Sequence, residues 1–134
     1  MKRGNLGKNG LVGVLKGGQT WPHSDDSTDI DGLPITELTG LDFASTNGHM
    51  HACGHDGHIT MAITPGEILS EMKDQLAGTV IFVFQPAEEV VMGALAMIDD
   101  GLFDRYPADR VLGTHLWNQI PKGSYWCESF NGFC

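Results

Sequence analysis

The sequence has little positive charge and no long apolar run, and each shortage excludes a class of partner. Its 134 residues include 8 lysines and arginines against 17 aspartates and glutamates, which gives a formal net charge of −9. A chain this acidic would be repelled by phosphate backbones and by anionic lipid surfaces. No apolar stretch approaches the length that spans a bilayer. We therefore expect neither nucleic acid nor a membrane as a partner.

Cysteine is also scarce, and the three cysteines do not form a disulfide framework. Cys53, Cys127 and Cys134 are an odd and widely spaced set. The early apolar run at residues 10–15 is too short and too rich in glycine for the apolar part of a signal peptide. We therefore expect a cytoplasmic protein with reduced cysteines. Cys53 is then best interpreted through its neighbours, which are histidines.

The length and the apolar fraction of 41% suit one ordinary domain with a real core. The run Thr-Val-Ile-Phe-Val-Phe at residues 79–84 is apolar on both faces, which is typical of a central strand covered on two sides. Further strands are predicted at residues 11–16 and 110–115. The alternation of strands with helices predicts an α/β fold, a layered sheet with central parallel strands and flanking helices.

The helices and loops between these strands follow from spacing and from the breakers. A helix is predicted from Asp56 or His58 to about residue 73, with a kink or a division into two helices at Pro65. A second helix is predicted at 93–100. The remaining expectations are a frayed end at 1–10, loops at 17–29 and 39–48, and one more strand at 123–128.

Chemistry is concentrated in three short motifs that are far apart in sequence. MHACGHDGH, at residues 50–58, places Cys53 and His55 two residues apart, so that in an extended segment both side chains point to one side. Glu88 and Glu89 follow the apolar strand, and His115 ends the next one. The carboxyl ends of parallel strands meet at one edge of a sheet, where ligand sites form. We therefore expect these groups to converge.

The converging groups suit a divalent metal ion. Cys53, His55, one of the two glutamates and His115 supply the roughly four N, S and O ligands that a zinc-type site requires. Side chains of successive residues diverge, so one glutamate could bind the ion. The other could then take a proton from a metal-activated water. Asp56 could orient an imidazole by accepting a hydrogen bond from the ring nitrogen that does not bind the ion.

The segments MHACGHDGH, GTVIFVFQPAEE and VLGTH resemble the amidohydrolase branch of the aminoacylase/carboxypeptidase-type metallopeptidases, which includes hippurate hydrolase and the indole-acetyl-amino-acid hydrolases. The similarity runs from about residue 9 to residue 123. It implies that Cys53, His55, Glu89 and His115 bind metal and that Glu88 is the general base. It also implies two divalent ions (manganese, zinc, cobalt or nickel) and hydrolysis of the amide bond of N-acyl amino acids or small peptides.

The chain departs from that family in extent, in one strand, at residues 90–92, where glycines are usual, and at Pro65, which interrupts a normally smooth helix. Family members are much longer, with a lid domain for dimerisation and a further metal-binding histidine. We therefore expect residues 1–134 to form a partial catalytic domain without the lid. Such a domain would expose a sheet edge and self-associate. Residues 24–28 are polar where the family usually has an apolar strand ending in arginine.

Other readings of the same residues remain open. The chain could be a non-catalytic, metal-binding remnant of such an enzyme. Cys53 could instead be a nucleophile with His55 or His115 as its base. His49, His51 and His58 are interpreted as hydrogen-bonding, capping or surface residues. Asp29 and Asp31 are interpreted as loop residues or as supports for the ligands.

Overall fold

A computed structural model describes residues 2–128, with side chains for residues 6–19 and 23–128. This part of the chain contains five strands and three helices. In chain order the elements are β1 (Lys2–Leu6), β2 (Gly10–Lys16), β3 (Gln19–Asp29), α1 (His55–Glu71), β4 (Ala77–Gln85), α2 (Gly93–Asp99), α3 (Leu102–Arg105) and β5 (Arg110–Gly113).

The strands form a single mixed sheet in the order β1-β2-β4-β3-β5. Strand β4 lies at the centre, antiparallel to β2 and parallel to β3, and β5 runs parallel to β3 on its outer side. The strands predicted at 11–16, 79–84 and 110–115 correspond to β2, β4 and β5. The predicted α/β fold with central parallel strands and flanking helices is therefore confirmed, with an antiparallel hairpin added at one edge.

Helices cover the two faces of β4, whose side chains alternate between them. Ile81 and Val83 pack in a buried cluster with Leu6, Val12, Met97 and Leu102, beneath α2 and α3. Phe82 points to the other face and packs with Leu15 and with Ala62 of α1. The apolar run of β4 is therefore explained by burial on both sides.

Two segments expected to lack regular structure are strands. Residues 1–10 include β1, which pairs with β2, so the expected frayed end is wrong. Residues 17–29 include β3, which was expected to be loop because its sequence is polar. Hydrogen bonds to β4 on one side and to β5 on the other hold β3 in the sheet. Pairing with neighbours outweighs the weak strand propensity of its serines and aspartates.

Two further expectations are corrected. Helix α1 begins at His55 and continues through Pro65 to Glu71 as one helix, so the predicted division into two helices is wrong. Packing of the helix against the sheet, through residues such as Ala62, supplies stability that a proline removes from the backbone ladder. Residues 123–128 contain no strand.

The two cysteines in the described residues differ in their bonding. Cys53 is a free thiol, whereas Cys127 takes part in a disulfide, against the expectation of reduced cysteines. None of the helices in the described residues is long and apolar enough to cross a membrane.

Strand β5 forms an exposed edge of the sheet. All four of its residues are exposed, and Val111 and Leu112, which point to opposite faces, keep 60% and 62% of their surface in contact with solvent. Leu116 and Trp117, just beyond the strand, are exposed as well. Exposed apolar edge strands in general can pair with strands of other chains.

Strand β3 carries a buried acid. Asp25 lies opposite Ile81 of β4 and Val111 of β5, with only 3% of its surface exposed. Its Oδ1 atom has no hydrogen-bond partner among the described residues. Burial, and secondly the neighbouring charge of Asp26, raise the pKa of Asp25 from 3.8 to about 7. The charged form is therefore disfavoured in the folded chain.

The Asp25→Asn substitution should stabilise the chain at high pH and change little at low pH. Below the unfolded pKa of 3.8 both states are protonated. Between pH 3.8 and about 7 only the unfolded state ionises, so the stability of the natural chain falls as pH rises. Above pH 7 the substitution should raise the free energy of unfolding by up to about 4 kcal/mol.

Urea denaturation at pH 4, 6 and 8 measures this difference. Asp42→Asn removes the same formal charge from an exposed loop and serves as the control. A stability gain for Asp25→Asn that is the same at all three pH values would contradict the argument, because it would not depend on ionisation.

Candidate metal centre

The ends of the three parallel strands lie side by side at one edge of the sheet. Asp29, the last residue of β3, pairs with Gln85, the last residue of β4. Ser27 pairs with Gly113, the last residue of β5. Whatever follows these strands therefore begins at the same place. Helix α1, which connects β3 to β4, also begins at this edge with His55.

Gly54 determines how the chain enters α1. It precedes the first helical residue and has a φ angle of 85°, in the left-handed region that glycine adopts without strain. The turn places Cys53 just outside the helix and His55 in its first turn. The two candidate ligands that one glycine separates therefore both point into the edge of the sheet.

The four predicted ligands are close together. One ligand atom from each of Cys53, His55 and Glu89 lies within 4.8 Å of the other two. The Nε2 atom of His115 lies 3.7 Å from the sulfur of Cys53. His115 also belongs with His55 to a second group of potential ligand atoms, again within 4.8 Å of one another. Residues more than sixty positions apart in sequence thus meet at this edge of the sheet.

The orientation of His55 leaves one ring nitrogen free for a cation. Its Nδ1 lies 2.9 Å from the backbone oxygen of Asp31, which can only accept, so Nδ1 carries the hydrogen. Nε2 then holds the lone pair, and it is buried without a hydrogen-bond partner among the described residues. The same is true of Oε1 of Glu89. Two buried acceptors without a donor, in residues that offer ligand atoms within 4.8 Å of one another, fit a nearby cation.

His115 is fixed in the same way. Its Nδ1 lies 2.6 Å from the backbone oxygen of Leu116 and therefore donates to it. The remaining nitrogen, Nε2, faces Cys53. A ring N–H bonded to a backbone carbonyl, with the other nitrogen directed at the site, is the usual arrangement of metal-binding histidines.

Asp31 holds the two glutamates. Its carboxylate oxygens accept hydrogen bonds from the backbone N–H groups of Glu88, at 3.1 Å, and Glu89, at 3.2 Å. Its backbone oxygen accepts from His55. Sequence reasoning left Asp31 as a loop or supporting residue, and no periodicity would have distinguished it. Its place two residues beyond the end of β3 positions it for this role, but the sequence did not reveal that strand.

Glu88 lies between the candidate ligands and open space. Its Oε2 is 3.7 Å from Nε2 of His55. The same residue lines a cleft of about 320 Å³ together with Asp29 and His115. A carboxylate at this position can reach both a group held by the ligands and a small molecule in the cleft.

The electrostatics of the edge act against a free thiolate. Burial raises the pKa of the Cys53 thiol, and the nearby carboxylates of Glu89, Glu88 and Asp29 raise it further. Both effects favour the protonated thiol. Bound cations reverse this effect, because a metal-bound thiol loses its proton.

Asp29 and His58 also belong to the site, although sequence reasoning did not select them. They form the second group of potential ligand atoms with His55 and His115. His58 is buried, and its Nδ1 lies 3.6 Å from Oδ2 of Asp29. Burial, followed by the neighbouring His115 and His55, lowers the pKa of His58. Helical spacing was the available signal, since residues 55 and 58 share a face of α1.

Comparison with known proteins places this arrangement in context. Residues 27–127 match the model of peptidase family M20/M25/M40. An N-acetyldiaminopimelate deacetylase from Lactococcus lactis is 47% identical over 114 residues, which are 85% of this chain and 30% of that protein. A hippurate hydrolase from Campylobacter jejuni is 42% identical over 120 residues, 89% of this chain and 30% of that protein.

A solved structure agrees with the sequence matches. A Bacillus subtilis protein described as a dinuclear metal-binding peptidase of the M20 family superposes with a TM-score of 0.79 and 39% identity. The match covers 85% of this chain and 32% of that one. The present chain thus spans about 30% of the length of the curated relatives that it matches.

Proposed function

The chain belongs to peptidase family M20/M25/M40, as the resemblance of its motifs predicted, and we propose that it forms the metal-binding part of a metal-dependent amidohydrolase. The proposed reaction is hydrolysis of the amide bond of N-acyl amino acids or small peptides. The observation that carries the proposal is the pair of buried acceptors without donors, His55 Nε2 and Glu89 Oε1, beside the thiol of Cys53.

The ligands in this proposal are Cys53, His55, Glu89 and His115. Two ions are proposed because the similar Bacillus subtilis protein is described as a dinuclear metal-binding peptidase. Mixed sulfur, nitrogen and oxygen ligands suit manganese, zinc, cobalt or nickel. When bound, such a cation supplies a Lewis acid that polarises the substrate carbonyl and lowers the pKa of water.

Glu88 is the proposed general base. Its backbone is held by Asp31, and its carboxylate lines the cleft beside the ligands. A carboxylate so placed can take the proton of the attacking water and return it to the leaving amine. Glu89, its neighbour, is then free to act as a ligand, because side chains of successive residues point in different directions.

Two alternative functions of the site predict different experimental results. A non-catalytic metal-binding remnant is compatible with a chain that spans about 30% of its relatives. Chelator-sensitive turnover of an N-acyl amino acid by the 134-residue chain alone would exclude it. A Cys53 nucleophile is disfavoured, since burial and three carboxylates raise the pKa of the thiol and oppose the reactive thiolate.

The proposed location is the cytoplasm, where Cys53 would remain a free thiol able to bind metal. The disulfide at Cys127 is then a bond that this compartment would tend to reduce.

Metal binding is testable on the chain as it stands. Cys53→Ala removes one proposed ligand and should weaken zinc binding at least about tenfold. Competition with a chromophoric chelator, together with metal analysis of the dialysed protein, measures the change. His49→Ala, which alters an exposed histidine outside both ligand groups, is the matched control. Equal zinc affinity for Cys53→Ala and the natural chain would contradict the ligand assignment.

The general base is testable in a complete enzyme. A chimera can be made in which this chain replaces the matching segment of the Lactococcus lactis deacetylase. In that chimera Glu88→Gln should lower kcat by roughly 10²–10⁴-fold while metal content stays the same, because only proton transfer is lost. Glu67→Gln, at an exposed position of α1, is the control. Full activity of the Glu88→Gln chimera would show that the base is another group.

Self-association through β5 is the proposed behaviour of the isolated chain. Sedimentation velocity at micromolar concentrations should find dimers or larger species, because β5 is an exposed apolar edge. Val111→Lys should shift the chain toward monomer, since a charge on an edge strand opposes pairing. Ile63→Lys, on the exposed side of α1, should not. A natural chain that is monomeric throughout would remove the basis for this proposal.

A further inference from the structure

His58 is a buried histidine that the proposed reaction does not use. It lies in the first turns of α1, three residues after His55, with 1% of its surface exposed. Its Nε2 accepts a hydrogen bond from the backbone N–H of Leu116, at 3.0 Å. It thus joins the helix to the residue that follows His115, across 58 positions of sequence.

This hydrogen bond fixes the tautomer of His58. A backbone N–H can only donate, so Nε2 must hold the lone pair, and the ring hydrogen of the neutral imidazole is on Nδ1. Nδ1 is buried without a hydrogen-bond partner among the described residues, and Oδ2 of Asp29 lies 3.6 Å from it. Neither nitrogen therefore offers a free lone pair to a cation. His58 lies among the potential ligand atoms, yet its chemistry there is that of a support.

Leu116 receives contacts on three sides. Its N–H donates to His58, and its carbonyl accepts from Nδ1 of His115, at 2.6 Å. Its side chain lies over the start of α1, where a Cβ added at Gly57 would overlap its Cδ1 atom. Leu116 thus contacts the first turn of the helix in two ways. His58 accepts its N–H, and its side chain fills the space that the missing Cβ of Gly57 leaves.

We propose that His58 is a positioning residue, which holds the segment of His115 and Leu116 on α1 so that Nε2 of His115 faces Cys53. Without that hydrogen bond, the chain beyond β5 has little to hold it, because β5 and the residues after it are exposed. The consequence for metal binding rests on the proposed function, since it requires that His115 be a ligand.

The first test uses the metal-free chain. Ring ¹⁵N spectra should assign His58 to the tautomer with hydrogen on Nδ1. In His58→Leu, the Leu116 amide should exchange its hydrogen about tenfold faster, because its acceptor is gone. His58→Gln, whose side-chain oxygen can accept in place of Nε2, should keep the exchange slow.

The second test adds zinc. His58→Leu should weaken zinc binding about 10–100-fold, the usual effect of removing a group that orients a ligand. The ring signals of His115 should lose their metal-bound shift, while those of His55 keep it. His58→Gln should restore most of both. Ala62→Gly destabilises the same helix in its core without touching Leu116, and it should leave the His115 signals unchanged.

The two tests separate the failure of this inference from that of the proposed function. A hydrogen on Nε2 of His58, or unchanged exchange of Leu116 in His58→Leu, would overturn the positioning role. Loss of the His115 signals in Ala62→Gly would do so too, since any loosening of the helix would then suffice. A natural chain with the expected tautomer that binds no zinc would instead refute the metal site and leave the role of His58 standing.

Discussion

Parallel pairing of β3 with both β4 and β5 is the constraint on which the site depends. It brings the ends of three strands to one edge, with Asp29 opposite Gln85 and Ser27 opposite Gly113. Motifs that are far apart in sequence therefore start from neighbouring points, and short connections suffice to bring their side chains together. The same pairing requires that a polar segment occupy an inner strand, with Asp25 buried in it. The parallel pairing of β3 therefore both positions the site and places an acid with an unpaired oxygen inside the sheet.

Backbone carbonyls, more than side chains, determine which atoms the site presents. The carbonyl of Asp31 takes the Nδ1 hydrogen of His55, and the carbonyl of Leu116 takes that of His115. Each bond fixes a tautomer and leaves Nε2 with a lone pair directed inward. Because these hydrogen bonds form within the chain itself, they orient both candidate ligands without the help of a cation. Such preorganisation lowers the entropy that binding would otherwise lose.

The sequence predicted the elements whose signal is local. The strand at 79–84 is apolar on both faces, and the cysteine, histidine and glutamate motifs carry their chemistry in adjacent letters. Strand β3 could not be predicted in this way, because its stability comes from partners that are distant in sequence and not from its own serines and aspartates. The particular partners of Asp31 and His58 could not be predicted for a related reason. Their roles consist of hydrogen bonds to Glu88, Glu89 and Leu116, which no pattern within their own segments encodes.

The acidic residues at this edge destabilise the folded chain without metal, and a bound cation would offset that cost. Asp29, Glu88 and Glu89 lie near Cys53 and raise the pKa of its thiol, while two buried acceptors have no donor among the described residues. Both features cost free energy in a chain without metal. A divalent cation would pair the acceptors, offset the negative charge and release the thiol proton. Binding to the folded chain alone would then stabilise the fold by mass action. The same buried acceptors that lower the stability of the metal-free chain would therefore favour the binding of a divalent cation.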